Sequence, residues 1–176
     1  MRIVRDINAL QNLFAATTEQ TFQAELGVVN PRFTDYLVDM LMRFLRYDAL
    51  HKFRSSTGQR LLELSDMLEE AAERTDFPRR EIYRHIGDYA LFWSGLYPEA
   101  LKQKQKAHRR DHLIDYFQQG KRSYYLASTY DVEPYQEEAT VLRFLSEEFE
   151  LCTYGLQQVR REWDKLLEQT DHPEHN

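Results

Sequence analysis

The stretch His85-Ile-Gly-Asp-Tyr-Ala-Leu-Phe-Trp-Ser-Gly-Leu-Tyr-Pro98 decides the fold. Small residues (Gly87, Ala90, Ser94, Gly95) and aromatics (Tyr89, Phe92, Trp93, Tyr97) share it with two ionisable groups, His85 and Asp88. Gly87, Ala90 and Ser94 fall three to four apart and so line one face of a helix. Glycine inside a helix costs about 1 kcal/mol relative to alanine, so something must compensate for it. Close approach of a second helix is the expected compensation. The run Gly120-Lys-Arg-Ser-Tyr-Tyr-Leu-Ala127 repeats the pattern, with Gly120, Ser123 and Ala127 on one face. These two stretches are expected to cross closely at the centre of a helical domain.

The chain on either side also reads as helix. Ile3, Ile7, Leu10 and Phe14 form the apolar face of a first helix. Thr17-Thr18 is expected to interrupt it, and a short piece continues to Leu26, where Gly27 marks a stop. Asn30-Pro31 reads as an N-cap followed by proline in the first turn. The helix after it extends to about Arg54 and is apolar over most of its circumference, which predicts burial. Its polar stripe pairs Asp39 with Arg43, one turn apart. Ser55-Ser-Thr-Gly58 reads as a turn, and Leu61, Leu64, Leu68, Ala71 and Ala72 mark the next helix. Asp76-Phe-Pro78 opens the central helix and Pro98 closes it.

A charged segment, 99–110, leads to a helix over 111–130 carrying Leu113, Ile114, Phe117, Gly120, Tyr124 and Ala127. Leu142, Leu145, Phe149, Cys152, Leu156, Val159, Trp163 and Leu166 then form a heptad seam. It predicts one continuous C-terminal helix of about 30 residues, spanning roughly 45 Å. No strand pattern or internal repeat interrupts this reading. The fold class is therefore all-α: a single-domain bundle of six to seven helices over residues 1–170, with a long C-terminal helix and a flexible tail at 171–176.

Bulk properties narrow the function. The chain has 176 residues, and 42% hydrophobic with 30% charged residues is a globular balance. Six Gly and five Pro leave little turn material, which favours long helices. A net charge of −6 gives no electrostatic footprint for nucleic acid. The basic cluster Lys102, Lys104, Lys106, Arg109 and Arg110 has neither the interleaved aromatics of a single-strand binder nor an apolar membrane face, and reads as a solvated loop. A single cysteine excludes an internal disulfide and a thiolate zinc site. Cys152 lies on the apolar seam and reads as a core residue. The first residues lack the apolar core of a signal peptide, and no apolar run is long enough to span a bilayer. The expected location is the cytoplasm.

Three His/Asp pairs share helical spacing: Asp48 with His51, His85 with Asp88, and His112 with Asp115. If their helices converge, these six residues could hold a divalent transition metal between the 78–97 and 111–130 helices. The Glu-x-x-His signature of di-iron bundles is missing, and such pairs arise readily on solvated helix surfaces. A small ligand at the same crossing would meet His85, Asp88, Trp93, Ser123 and Tyr124. The simpler reading of His85 and Asp88 is a structural polar network, with Asp88 accepting from Tyr124, Tyr125 or Lys121. No nucleophile or phosphate-loop motif accompanies them, and no cofactor is expected. The expected function is non-enzymatic: a helical bundle acting through protein–protein interaction, self-associating or binding another protein, with the metal- or ligand-binding bundle, which could be an enzyme, as the alternative.

Overall fold

The structure, a computed structural model, describes residues 7–44, 54–55, 58–59, 61, 63–107, 111 and 113–171. They form eight α-helices and no strand. The order is α1 (Ile7–Glu19), a π-helical turn (Gln20–Glu25), α2 (Pro31–Phe44), α3 (Leu64–Glu73), α4 (Asp76–Leu96), α5 (Pro98–Ala107), α6 (Tyr116–Ser128), α7 (Gln136–Glu147) and α8 (Phe149–Asp171). One hydrophobic core joins them. The all-α reading stands, with slightly more helices than expected. No helix of the described residues is long and apolar enough to cross a membrane.

Several boundaries follow the chain chemistry directly. Asn30 caps α2, its Oδ1 accepting from Phe33 N–H at 3.3 Å. Eight of the fourteen α2 residues are buried, as its apolar circumference predicts. The remainder of the helix expected to reach Arg54 lies outside the described residues. Thr17 and Thr18 do not break α1; the ladder changes to π-helix two residues later and ends before Gly27, which takes φ +70°.

The charged segment 99–110, expected as a solvated loop, is helical from Pro98 to Ala107 as α5, and two further expectations change. The long C-terminal helix is two helices. Glu148 leaves helical geometry (φ −108°, ψ 30°) between α7 and α8, and the next residue, Phe149, sends its ring against Gly120. Most of the seam is consumed within the chain: Leu142, Leu145, Phe149, Cys152, Leu156 and Val159 are all buried. Trp163 stacks on Phe14 of α1 at 4.1 Å between ring centroids. The second change is at 111–115. The helix expected from Asp111 begins at Tyr116, with Asp115 as its N-cap.

The most extensive helix contact is between α4 and α6, the crossing expected from their small residues. Its geometry is more specific than two close backbones. A Cβ at Gly87 would lie 2.5 Å from Tyr124 Cδ1, one at Gly120 2.5 Å from Phe149 Cζ, one at Gly95 2.9 Å from Leu156 Cβ, and one at Gly155 2.2 Å from Phe22 Cζ. Each of these glycines is a notch filled by a bulky side chain from another element. Overpacking a fitted core costs about 1–3 kcal/mol. Gly155→Ala should therefore lower stability by about that amount in chemical denaturation, and Gly155→Ala with Phe22→Leu should recover part of it.

Candidate functional site

Along α4, Arg80, Arg84 and Asp88 recur every four residues and share one face. That face looks into the bundle. Asp88 has no exposed surface. Its Oδ1 accepts from Tyr36 Oη at 2.6 Å and from Tyr124 Oη at 2.7 Å, and its Oδ2 accepts from Arg43 Nη2 at 3.2 Å. The donors come from α2 and α6. Gly87 makes the α6 contact possible, because its missing side chain is the space that the Tyr124 ring occupies.

The charges continue up α4. Arg84 sits over the Tyr36 ring at 5.3 Å and pairs with Glu138 of α7 at 3.0 Å. Arg80, itself buried, pairs with Glu138 and, at 2.5 Å, with Glu81. Its guanidinium lies 4.1 Å from the Tyr135 ring centre. A ladder of alternating charge thus runs from Asp88 to the α4 N-terminus, with contributions from four helices.

The network fixes its own protonation states. Burial alone would raise the Asp88 carboxyl. The Arg84 and Arg43 guanidinium groups and the two tyrosine hydrogen bonds outweigh it and hold the group below the usual 3.8. Burial, then the Asp88 charge, push Tyr36 and Tyr124 well above the ordinary phenol value, so both remain donors. Burial works against the Arg84 charge, but Tyr36, Asp88 and Glu138 raise it above its usual range. An ionised carboxylate held by two hydroxyls and a guanidinium is a satisfied structural anion.

No protein family matches the chain, and no curated protein or solved structure does either. Its chemistry has to be read from its own residues.

Of the five residues expected at a ligand site, the structure joins Asp88 and Tyr124 by a hydrogen bond. His85 is buried, its ring edge-on to Phe44 at 5.7 Å and 6.1 Å from that of Tyr89. Trp93 lies among Phe92, Tyr89 and Tyr97, with Lys104 Nζ 5.8 Å from its ring. Ser123 is buried on α6. Of the expected alternatives for Asp88, Tyr125 is exposed and Lys121 pairs with Glu150 at 2.8 Å.

Asp48, His51 and His112, half of the proposed metal set, lie outside the described residues. Asp115 is exposed and accepts from Gln118 N–H at 3.1 Å as the α6 cap. It stands nine residues before Tyr124, about 14 Å along the helix. Among the described residues, no three His, Cys, Asp or Glu are grouped to hold a metal. Cys152 is buried, and burial pushes its thiol far up, so it stays protonated.

Sequence reasoning missed four participants. Tyr36 reads as an apolar residue and Arg43 as a surface partner of Asp39; both serve Asp88. Arg84 was visible only through the four-residue step from Arg80 to Asp88. Asp111 is a second buried carboxylate. It accepts from Leu64 N–H at 2.9 Å, Ser65 N–H at 3.0 Å and Tyr116 Oη at 2.7 Å. It therefore caps α3 from 47 residues away, where its charge also favours the helix dipole. No local signal marks such a cap.

Breaking a buried ion pair from one side costs about 3–5 kcal/mol. Asp88→Asn should lower unfolding stability by about that amount at neutral pH. Because the folded Asp88 carboxyl lies below its unfolded value, its contribution is complete above 3.8 and is lost as pH falls through the folded value. Denaturation curves taken down from neutral pH should fall more steeply below 3.8 for the parent than for Asp88→Asn. Parallel curves would contradict a depressed Asp88.

Proposed function

We propose that this chain is a non-catalytic helical interaction protein that self-associates through the outer face of α6. The observation that carries the proposal is an exposed aromatic groove. Phe117 and Tyr125 are 38% and 47% exposed, and they flank a groove of about 520 Å³ between α6 and the α7–α8 junction. Exposed aromatics around a shallow groove favour protein contact over small-molecule capture.

The charges beside these rings fit a second copy. Asp115 and Glu150 share the groove with Lys121 and Arg122, two of each sign. Asp115 and Arg122 are seven residues apart and so lie on one face of the helix. Lys121 and Glu150 pair with each other within the chain at 2.8 Å, and two antiparallel α6 helices related by a two-fold axis would place Asp115 of each copy opposite Arg122 of the other. Arg143 already lies 4.5 Å from the Tyr125 ring centre and stiffens that side. The C-terminal seam does not supply this surface, since most of it is buried within the chain.

A catalytic reading has less support. The Asp88 carboxylate has its hydrogen bonds filled and no exposed surface, so a substrate would have to part α2 from α4 to reach it. Light scattering tests the proposal. The parent should give a dimer mass at micromolar concentration, and Phe117→Ser with Tyr125→Ser should give a monomer that keeps its helical circular dichroism. A monomeric parent across that range would overturn it.

A further inference from the structure

A second aromatic cluster, with one exposed ring, lies at the other end of the polar ladder, away from the α6 groove. Phe77, in the first turn of α4, is 43% exposed. Its ring is 5.1 Å from that of Tyr135 and 6.2 Å from that of Tyr130, tilted by 44° and 52°. Tyr130 and Tyr135 bracket the α6–α7 loop, where Val132 is also exposed. One end of the bundle thus carries the exposed Phe77 and Val132 side chains beside the half-buried rings of Tyr130 and Tyr135.

The charges around this cluster have one dominant sign. Asp76, Asp131, Glu133 and Glu137 are all exposed there. Arg32 offsets one of them, pairing with Glu137 at 3.6 Å. Arg79 is engaged with the α3 C-terminus, donating to the Ala71 and Ala72 carbonyls at 3.0 and 3.1 Å. Arg80 lies inward on Tyr135, so this ring cluster already holds a guanidinium against one of its members. An aromatic surface with an acidic rim suits a cation that presents a flat or methylated face.

We propose that the Phe77–Tyr130–Tyr135 end of the bundle docks a basic segment of a different protein, seating an arginine or lysine head on the exposed Phe77 ring while the acidic rim holds its neighbours. The inference goes beyond self-association and uses a different face. Charge complementarity names the partner's chemistry: a polypeptide rich in Arg and Lys. The same acidic rim would repel nucleic acid and anionic lipid.

The test uses the full chain, labelled with nitrogen-15, titrated with hexa-arginine, hexa-lysine and hexa-glutamate peptides. Hexa-arginine should shift the amides of residues 76–78 and 130–135, hexa-lysine should do so more weakly, and hexa-glutamate should do nothing. Phe77→Ala should weaken hexa-arginine binding about threefold, the size expected of one exposed cation–ring contact. Phe77 is exposed, so the variant should fold normally. It should also leave the dimer mass intact, and Phe117→Ser should leave peptide binding intact, so the two proposals fail separately. Shifts spread over all acidic residues and unchanged by Phe77→Ala would overturn the inference, as would no binding at millimolar peptide. So would loss of the dimer on replacing Lys102 and Lys106 by Glu, because the docked segment would then belong to a second copy.

Discussion

The buried carboxylate of Asp88 organises the centre of this bundle. An unpaired carboxylate in a protein interior is costly enough to take up a proton instead. Asp88 stays ionised because α2 brings Tyr36 and Arg43, α6 brings Tyr124, and its own helix brings Arg84. The three hydrogen-bond donors, Tyr36, Arg43 and Tyr124, lie 36 to 52 residues away in sequence. If α2 slides or rotates against α4, the carboxylate loses two of its three hydrogen bonds at once. A greasy contact tolerates such sliding; a fixed anion does not. The register of α2 against α4 is thus tied to the Tyr36 and Arg43 hydrogen bonds to Asp88.

Packing around the anion follows the same logic. Tyr124 reaches Asp88 only because residue 87 lacks a side chain, and Phe149 fills the neighbouring notch at Gly120. The glycine that weakens α4 as a helix is thus recovered through a hydrogen bond and a filled notch in the same place. At the far end, Phe22 projects from the π-helical turn into the notch at Gly155. Asp111 does for α3 what Asp88 does for the centre, satisfying two N–H groups that a helix start leaves open. Two buried acids, each from a distant part of the chain, fix the interior arrangement, and the aromatic surfaces are left to α6 and the α4 N-terminus.

Much of the fold was legible because it rests on short-range pattern. Apolar spacing located α1, α2 and α3, Asn30-Pro31 located the start of α2, Asp76-Phe-Pro78 and Pro98 bounded α4, and the small residues located the α4–α6 crossing. The break at Glu148 was not legible, since the apolar seam passes through it without a change of step. It arises from a tertiary demand, the seating of Phe149 at Gly120. The site was legible in half: Asp88 and Tyr124 were named together, whereas Tyr36, Arg43 and Asp111 were not. Tyrosine reads as apolar in a helix pattern, and an arginine beside an aspartate one turn away reads as a surface pair. Their true partner, Asp88, lies 52 and 45 residues away, where spacing along one helix carries no information.

The central claim, an ionised carboxylate sealed in the core, is tested most directly by carbon-13 NMR of the Asp88 carboxyl. The folded protein would be titrated from neutral pH into the acid range. The midpoint of the titration should fall below the usual carboxylate value of 3.8. A midpoint above 3.8 would mean that burial wins over Arg84, Arg43 and the tyrosines. It would contradict a structural anion at the centre of the bundle.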